Sequence, residues 1–243
     1  MITFGIFALN EEKNISNTIE VIIKASKNFP NIPFEIIVVD DGSSDSTYEI
    51  MKGWESNHSF IRTIKHEKNY GIGKSVKTIV THAQYPKVGF FPGDNVVGVS
   101  MFESFFKYCN EDCFVCYYFV NTEIRPRLRI LLSETFTQMC RLLFNIHLKY
   151  INGGGIYSTE ALRKMDIKSE GYTFTLELSA KTLLSGTKFF EVPCFFQPNH
   201  DKSVALKFTN LVKTFYYLIK VYWDIKVTNK ETFSKEPERV LRY

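Results

Sequence analysis

Four short apolar runs, Ile2 to Leu9, Phe34 to Val39, Phe60 to Ile64 and Val88 to Phe91, alternate with stretches of helical period. Runs of this length without polar interruption read as strands buried on both faces, the habit of parallel sheets. Between them Ile15, Ile19, Ile22 and Ile23 recur at helical steps, then Tyr48, Ile50, Met51 and Trp54, and the loop Asn69 to Lys74 opens a third helix. The repeat of strand and helix predicts an α/β chain with a doubly wound, mostly parallel sheet and helices on both faces. In such sheets ligands bind beyond the carboxyl ends of the strands. The clusters Asn10 to Glu12, Asp40 to Asp45 and Asp94-Asn95 fall at those ends. A surface loop needs only some polar residue, whereas these ends are rich in acids.

The second half has a different rhythm. Leu128 to Ile146 reads as an amphipathic helix with Leu128, Leu131, Leu132, Phe136, Met139, Leu142 and Leu143 on one side, and Arg125, Arg127 and Arg129 at its start. Asn152 to Gly155 reads as a flexible turn, and Ile156 to Ser158 leads into a helix from Thr159. Phe174 to Leu184 is predicted helical and Phe189 to Phe196 a strand. Val204 to Ile225 is again amphipathic, with Phe208, Leu211, Val212, Phe215, Ile219 and Tyr222 at helical steps. One domain is expected over residues 1–200, with 201–243 as a C-terminal amphipathic helix and tail.

Composition narrows the partners. With 243 residues, 44% of them hydrophobic, the chain has material for a real core. A net charge of +4 is too mild to argue for nucleic acid, and suits an anionic substrate or membrane surface. Cys113 and Cys116 have the spacing of half a zinc site, but no second pair follows, and Cys109, Cys113 and Cys116 sit in a stretch that reads as strand. Five unpatterned cysteines favour free thiols in a reducing, cytoplasmic compartment. No signal peptide and no apolar run of about 18 residues is present, so no membrane span is expected.

Asn10-Glu11-Glu12-Lys13-Asn14-Ile15, Val38-Val39-Asp40-Asp41-Gly42-Ser43-Ser44-Asp45-Ser46-Thr47 and Asn69-Tyr70-Gly71-Ile72-Gly73-Lys74, in that order, resemble family 2 glycosyltransferases of the Rossmann-like GT-A fold over roughly residues 1 to 200. The resemblance implies an inverting transferase acting on a nucleoside-diphosphate sugar with Mg2+ or Mn2+. It implies that Asp41 reads the nucleobase and that Phe7, Leu9, Glu11, Lys74, Gly93 and Asp94 line the nucleotide pocket. Asp94, at the family's Asp-x-Asp position, would hold the metal, with Asn95 adding an oxygen. Two departures stand out. Phe7 to Glu11 replaces Pro-x-Tyr-Asn-Glu, so a stacking tyrosine is missing, and the metal motif reads Pro92-Gly93-Asp94, with one acid. The second half is similar in order to the polyprenyl-phosphate sugar transferases, which implies a polyprenyl-phosphate acceptor, phosphate contacts from Arg125, Arg129 and Lys202, and peripheral attachment to a membrane.

A hydroxyl acceptor needs a general base, while an ionised lipid phosphate needs none. Glu177 is the candidate base, with a structural role as its alternative. Transfer to a glycan or other hydroxyl in cell-surface polysaccharide synthesis is the second enzymatic reading, and a non-catalytic nucleotide-binding scaffold is the rival of another class. Plainer readings accompany the site residues: Asp40 as a helix cap, Asp94 as a turn residue, the arginines as a solvated face, and His66, His82, His147 and His200 as surface or packing residues.

Overall fold

The first apolar run forms β1 (Ile2–Ala8), buried along nearly its whole length, in a computed structural model that describes residues 1–171, 173–197 and 208–240. It belongs to the first of two compact units, Met1–Asn110 with Ile156–Met165. Here β2 (Phe34–Asp40), β3 (Ile61–Lys65) and β4 (Lys87–Pro92) pair in parallel in the order β3-β2-β1-β4. The helices are α1 (Ile15–Ser26), α2 (Thr47–Asn57), α3 (Ile72–His82), α4 (Val99–Tyr108) and the short α6 (Thr159–Lys164). Both faces are covered. Phe4 packs on Phe102, Phe105 and Phe106 of α4, with ring centroids 5.8, 6.1 and 5.0 Å away. A Cβ on the next residue, Gly5, would stand 2.5 Å from Ile79 Cγ2 of α3. Successive strand residues point to opposite faces, so α4 and α3 lie on opposite sides of the sheet.

Ile156 to Ser158, read as a lead into the following helix, instead belongs with Gly155 to the strand β6 (Gly155–Ser158), antiparallel to β4 with Lys87 opposite Ser158. Four residues are too few to show a period, so only the pairing partner reveals it.

The second unit comprises Glu111–Gly155 and Asp166–Tyr243. In it β5 (Phe114–Phe119) and β7 (Phe189–Cys194) pair in parallel. Its helices are α5 (Arg127–Phe144), α7 (Phe174–Leu184) and α8 (Phe208–Trp223), the last running into a π-helical turn at Asp224–Thr228. The glycines expected to give a flexible turn serve close approach. A Cβ on Gly153 would lie 1.7 Å from the Tyr117 carbonyl oxygen, and one on Gly155 2.2 Å from that of Val115.

The leucine side of α5 is not its core side. Thr137, Cys140 and Phe144 are buried, whereas Leu128, Leu131, Leu132 and Leu142 are exposed, Leu142 at 87%. Cys109 ends α4 rather than lying in a strand. All five cysteines are buried free thiols, and burial raises Cys140 and Cys194 to about 12, so they stay protonated and unreactive. Among the described residues no three or more His, Cys, Asp or Glu side chains cluster to hold a metal. No described helix is long and apolar enough to cross a membrane. The boundary expected at residue 200, Lys202 and His200 lie outside the described residues.

Candidate functional site

The strand order reverses about β1, with β2 on one side and β4 on the other. The crevice beyond the carboxyl ends of β1 and β4 is therefore a topological switch point, the place where an open α/β sheet receives a ligand. Phe7 lies at the end of β1, half-buried, and Leu9 follows it, exposed. Asn10 turns the chain with a left-handed φ of 57°, which Asn tolerates better than other side-chain-bearing residues.

The first two acidic clusters are laced together. The Asn10 N–H donates to Ser43 Oγ at 2.9 Å, and Asn10 Oδ1 accepts the Ser44 N–H at 2.9 Å. The Glu11 N–H donates to Thr47 Oγ1 at 2.7 Å. Asp45 accepts the N–H and hydroxyl of Thr47 at 3.0 and 2.5 Å. Burial pushes the Asp45 carboxyl up, but the bonds from Thr47 and from the Glu12 N–H outweigh it and hold the group below its ordinary value. Asp45 thus stays charged and knits the loop. Glu11 is half-buried and accepts a bond from Asn14 Nδ2 at 2.9 Å.

Asp41 is almost fully buried. Its Oδ1 accepts the Tyr70 N–H at 3.1 Å and the His66 Nδ1–H at 2.7 Å, and its Oδ2 accepts the Gly71 N–H at 2.7 Å. A carboxylate oxygen accepts, so this contact suits a proton on His66 Nδ1; His66 Nε2 lies 3.0 Å from Thr78 Oγ1. His66 is therefore a partner of the site, a role that sequence reasoning missed because 25 residues separate it from Asp41. Gly42, at φ 80°, passes so close that a Cβ would stand 2.5 Å from the Lys68 carbonyl carbon. Asp41 and Gly42 together fix the Lys68–Gly71 loop, which opens α3 and sets Lys74 exposed on its first turn.

The end of β4 is pinned from α1. Thr18 Oγ1 donates to the Gly93 carbonyl at 3.0 Å and accepts the Asn95 N–H at 3.1 Å. Thr18 too went unremarked in the sequence, where its signal is a polar residue on the apolar stripe of Ile15, Ile19 and Ile22. Gly93 also donates to the Phe7 carbonyl at 3.0 Å, and a Cβ there would lie 3.1 Å from Ala8 Cβ. Asp94 is half-buried, and Asn95 again has a left-handed φ, 55°. Asn95 Oδ1 is a buried acceptor with no donor. Asp94 and Asn95, adjacent in the chain, offer oxygen donors, the ligand type that magnesium and manganese prefer, though no three or more His, Cys, Asp or Glu side chains cluster among the described residues.

In the second unit Arg125 is held flat. Its guanidinium lies 4.4 Å over the Phe196 ring, Phe196 stacks on Phe119 at 3.5 Å, and Arg125 Nη1 donates to the Tyr150 hydroxyl at 3.4 Å. Asn121 clamps both backbone groups of Phe196, at 2.8 and 2.9 Å. Arg129 is half-buried and Arg127 exposed. Glu177 is fully buried: its carboxylate accepts the N–H groups of Lys168 and Ser169 at 2.8 and 2.7 Å and pairs with Lys181 Nζ at 2.6 Å. Lys181 also pairs with Asp224 at 2.7 Å and donates to the Asp166 carbonyl at 2.5 Å. Both Glu177 oxygens are thus engaged away from solvent, the geometry of a structural ion pair rather than of an open base.

A family model described as glycosyl transferase family 2 matches residues 3–170. Over 106 residues the chain is 33% identical to a dolichyl-phosphate beta-glucosyltransferase of Trichomonas vaginalis, covering 42% of this chain and 31% of that protein. Over 234 residues it is 22% identical to glycosyltransferase AglD of Haloferax volcanii, covering 93% of this chain and 37% of that protein. The chain therefore spans about a third of the length of these relatives. Among solved structures it is similar to glucosyl-3-phosphoglycerate synthase of Mycobacterium tuberculosis, solved with Mn2+, uridine diphosphate and phosphoglyceric acid. The TM-score is 0.67 at 18% identity, covering 91% of this chain and 78% of that one. That likeness identifies the fold as GT-A.

Proposed function

The chain belongs to glycosyl transferase family 2, and we propose that it moves a sugar from a nucleoside diphosphate to a polyprenyl phosphate, with inversion at the sugar carbon. The observation that carries the acceptor is the state of Glu177. The candidate base is buried and committed to Lys181, Lys168 and Ser169, and an ionised phosphate acceptor is the kind that needs no base. The dolichyl-phosphate name of the Trichomonas vaginalis relative supports the same choice.

In this reading Phe7, Leu9, Glu11, Gly93 and Lys74 bound the nucleotide, and Asp94 with Asn95 Oδ1 holds Mg2+ or Mn2+. The ion, when bound, offsets the charge that develops on the departing diphosphate. Thr18 positions that turn. Arg125, stiffened by its aromatic stack, and Arg129 take the acceptor phosphate, a task for which a planar guanidinium offers two parallel donors. A lipid acceptor brings the enzyme to the cytoplasmic face of a membrane, where sugar nucleotides are available.

A panel of UDP, GDP, CDP and dTDP sugars with polyprenyl phosphate, with Mg2+, Mn2+ or chelator, tests the reading. Labelled sugar should enter the organic phase only with metal present. Transfer solely to hydroxyl acceptors would overturn the acceptor assignment. Pro92 in place of a first acid favours one other reading, nucleotide binding without turnover; any hydrolysis or transfer of the sugar nucleotide eliminates it.

Asp41 tests the base site. Asp41→Ala should weaken nucleotide binding by about 1–3 kcal/mol, the cost of stranding polar partners, and should lower the melting temperature as well, since His66, Tyr70 and Gly71 lose their acceptor. Calorimetry showing unchanged binding of all four nucleoside diphosphates would remove Asp41 from the pocket.

A further inference from the structure

Helix α8 is apolar on two sides. Leu218, Val221 and Ile225 face the core of the second unit and are buried. On the roughly opposite side, at helical steps, stand Val212, Phe215, Tyr216, Ile219 and Trp223, all exposed, Ile219 at 67% and Trp223 at 61%. A helix apolar all round is normally buried all round. Among the described residues nothing covers this outer side.

From this we infer that the outer side of α8 is the seat of an anionic lipid surface. Charge selects the occupant. The α8 sequence has Lys213 and Lys220 and no acid, and both lysines are exposed. A recess of about 440 Å³ opens within the stripe, lined by Lys168, Tyr216, Ile219, Lys220, Trp223 and Asp224 among others. It sets the Lys220 ammonium against aromatic and aliphatic walls, the chemistry of a phosphate headgroup above its acyl chains, while Lys168 at its edge is paired with Asp166. Of the nearby acids, Asp166 is paired with Lys168 and Asp224 with Lys181, while Glu170 accepts the Tyr217 hydroxyl at 2.7 Å and keeps its charge. A second copy of the chain fits worse. A two-fold contact sets the same patch against itself, so Lys213 and Lys220 would meet like charges. Tyr216 and Trp223 are also the side chains suited to a headgroup boundary.

The inference deepens the peripheral-membrane part of the proposed function, but needs neither the sugar nor the acceptor to be right. Flotation of the full chain with phosphatidylcholine vesicles, with and without phosphatidylglycerol, at low and high salt, tests it. The protein should float with the anionic vesicles at low salt and be released by high salt. Ile219→Asp and Trp223→Asp should stay in solution, and Lys213→Glu with Lys220→Glu should bind the anionic vesicles about 30-fold more weakly or worse. Melting temperature and nucleotide binding, which report on folding and on the first unit, should be unchanged in all of them. Parent protein that stays in solution, or variants that float like the parent, would overturn the assignment. So would a concentration-dependent dimer in sedimentation that Ile219→Asp abolishes, because the occupant would then be a second copy. Failed transfer to polyprenyl phosphate in detergent, with flotation intact, would count against the acceptor and not against this face.

Discussion

Asp94→Ala is expected to cut sugar transfer by about 100-fold or more, the usual cost of losing one group that stabilises developing negative charge. The fold should survive. Asp94 is half-buried at the tip of β4, and its contact with the Val96 N–H is long at 3.4 Å. Such a replacement moves the melting temperature by about 2 °C or less. A binding readout separates a metal ligand from a turn residue. In the parent protein Mg2+ or Mn2+ should tighten nucleoside diphosphate binding, and in Asp94→Ala that linkage should vanish while metal-free binding persists. Asn95→Asp sharpens the test. Asp tolerates the left-handed φ of 55°, and a second carboxylate raises the charge count for a hard cation. Metal should then bind measurably without nucleotide. If Asp94→Ala keeps metal-tightened nucleotide binding and near-parental turnover, the ion is held elsewhere.

The sequence makes local, linear features legible and hides those that need a third dimension. The strand ends with their acids, Asn10 to Glu12 and Asp40 to Asp45, are contiguous motifs, and they stand together because β1 and β2 pair in register, Ala8 opposite Asp40. Asp41 could be singled out, but not its bonds to His66 and Gly71, which arrive from the ends of a neighbouring strand and loop. Thr18 is similar. Its hydroxyl matters because α1 runs beneath the Gly93–Asn95 turn, which no spacing announces. The error on α5 has another cause. Hydrophobicity picks the leucines as the buried side, but crossing geometry decides which side meets the core, and it buries Thr137, Cys140 and Phe144. Gly153 and Gly155 read as flexibility because a sequence shows only the missing side chain, not the Tyr117 and Val115 carbonyls that require its absence.

Lys181 carries the second large effect. It is 1% exposed and lies between Glu177 and Asp224, two carboxylates on one ammonium. Lys181→Met keeps much of the volume and leaves both acids buried without their cation. Breaking a buried pair in this way costs about 3–5 kcal/mol, so the melting temperature should fall by roughly 10 °C. Asp224→Asn should cost less, because Lys181 keeps Glu177 and the site moves from a net negative balance to a neutral one. Adding Asp224→Asn to Lys181→Met should recover part of the loss, since one of the two stranded charges is gone, and the non-additivity measures the coupling. Glu177→Gln then decides between structure and chemistry. If Glu177 is structural, the variant melts earlier, because an amide cannot serve Lys181 and the Lys168 and Ser169 N–H groups as a carboxylate does. Measured well below that transition, its turnover with polyprenyl phosphate should stay close to that of the parent. If Glu177 is a general base, stability holds and turnover falls by a factor of about 100 or more. Melting curves and initial rates on the same preparation distinguish the two, and the second pattern would return the acceptor to the hydroxyl class.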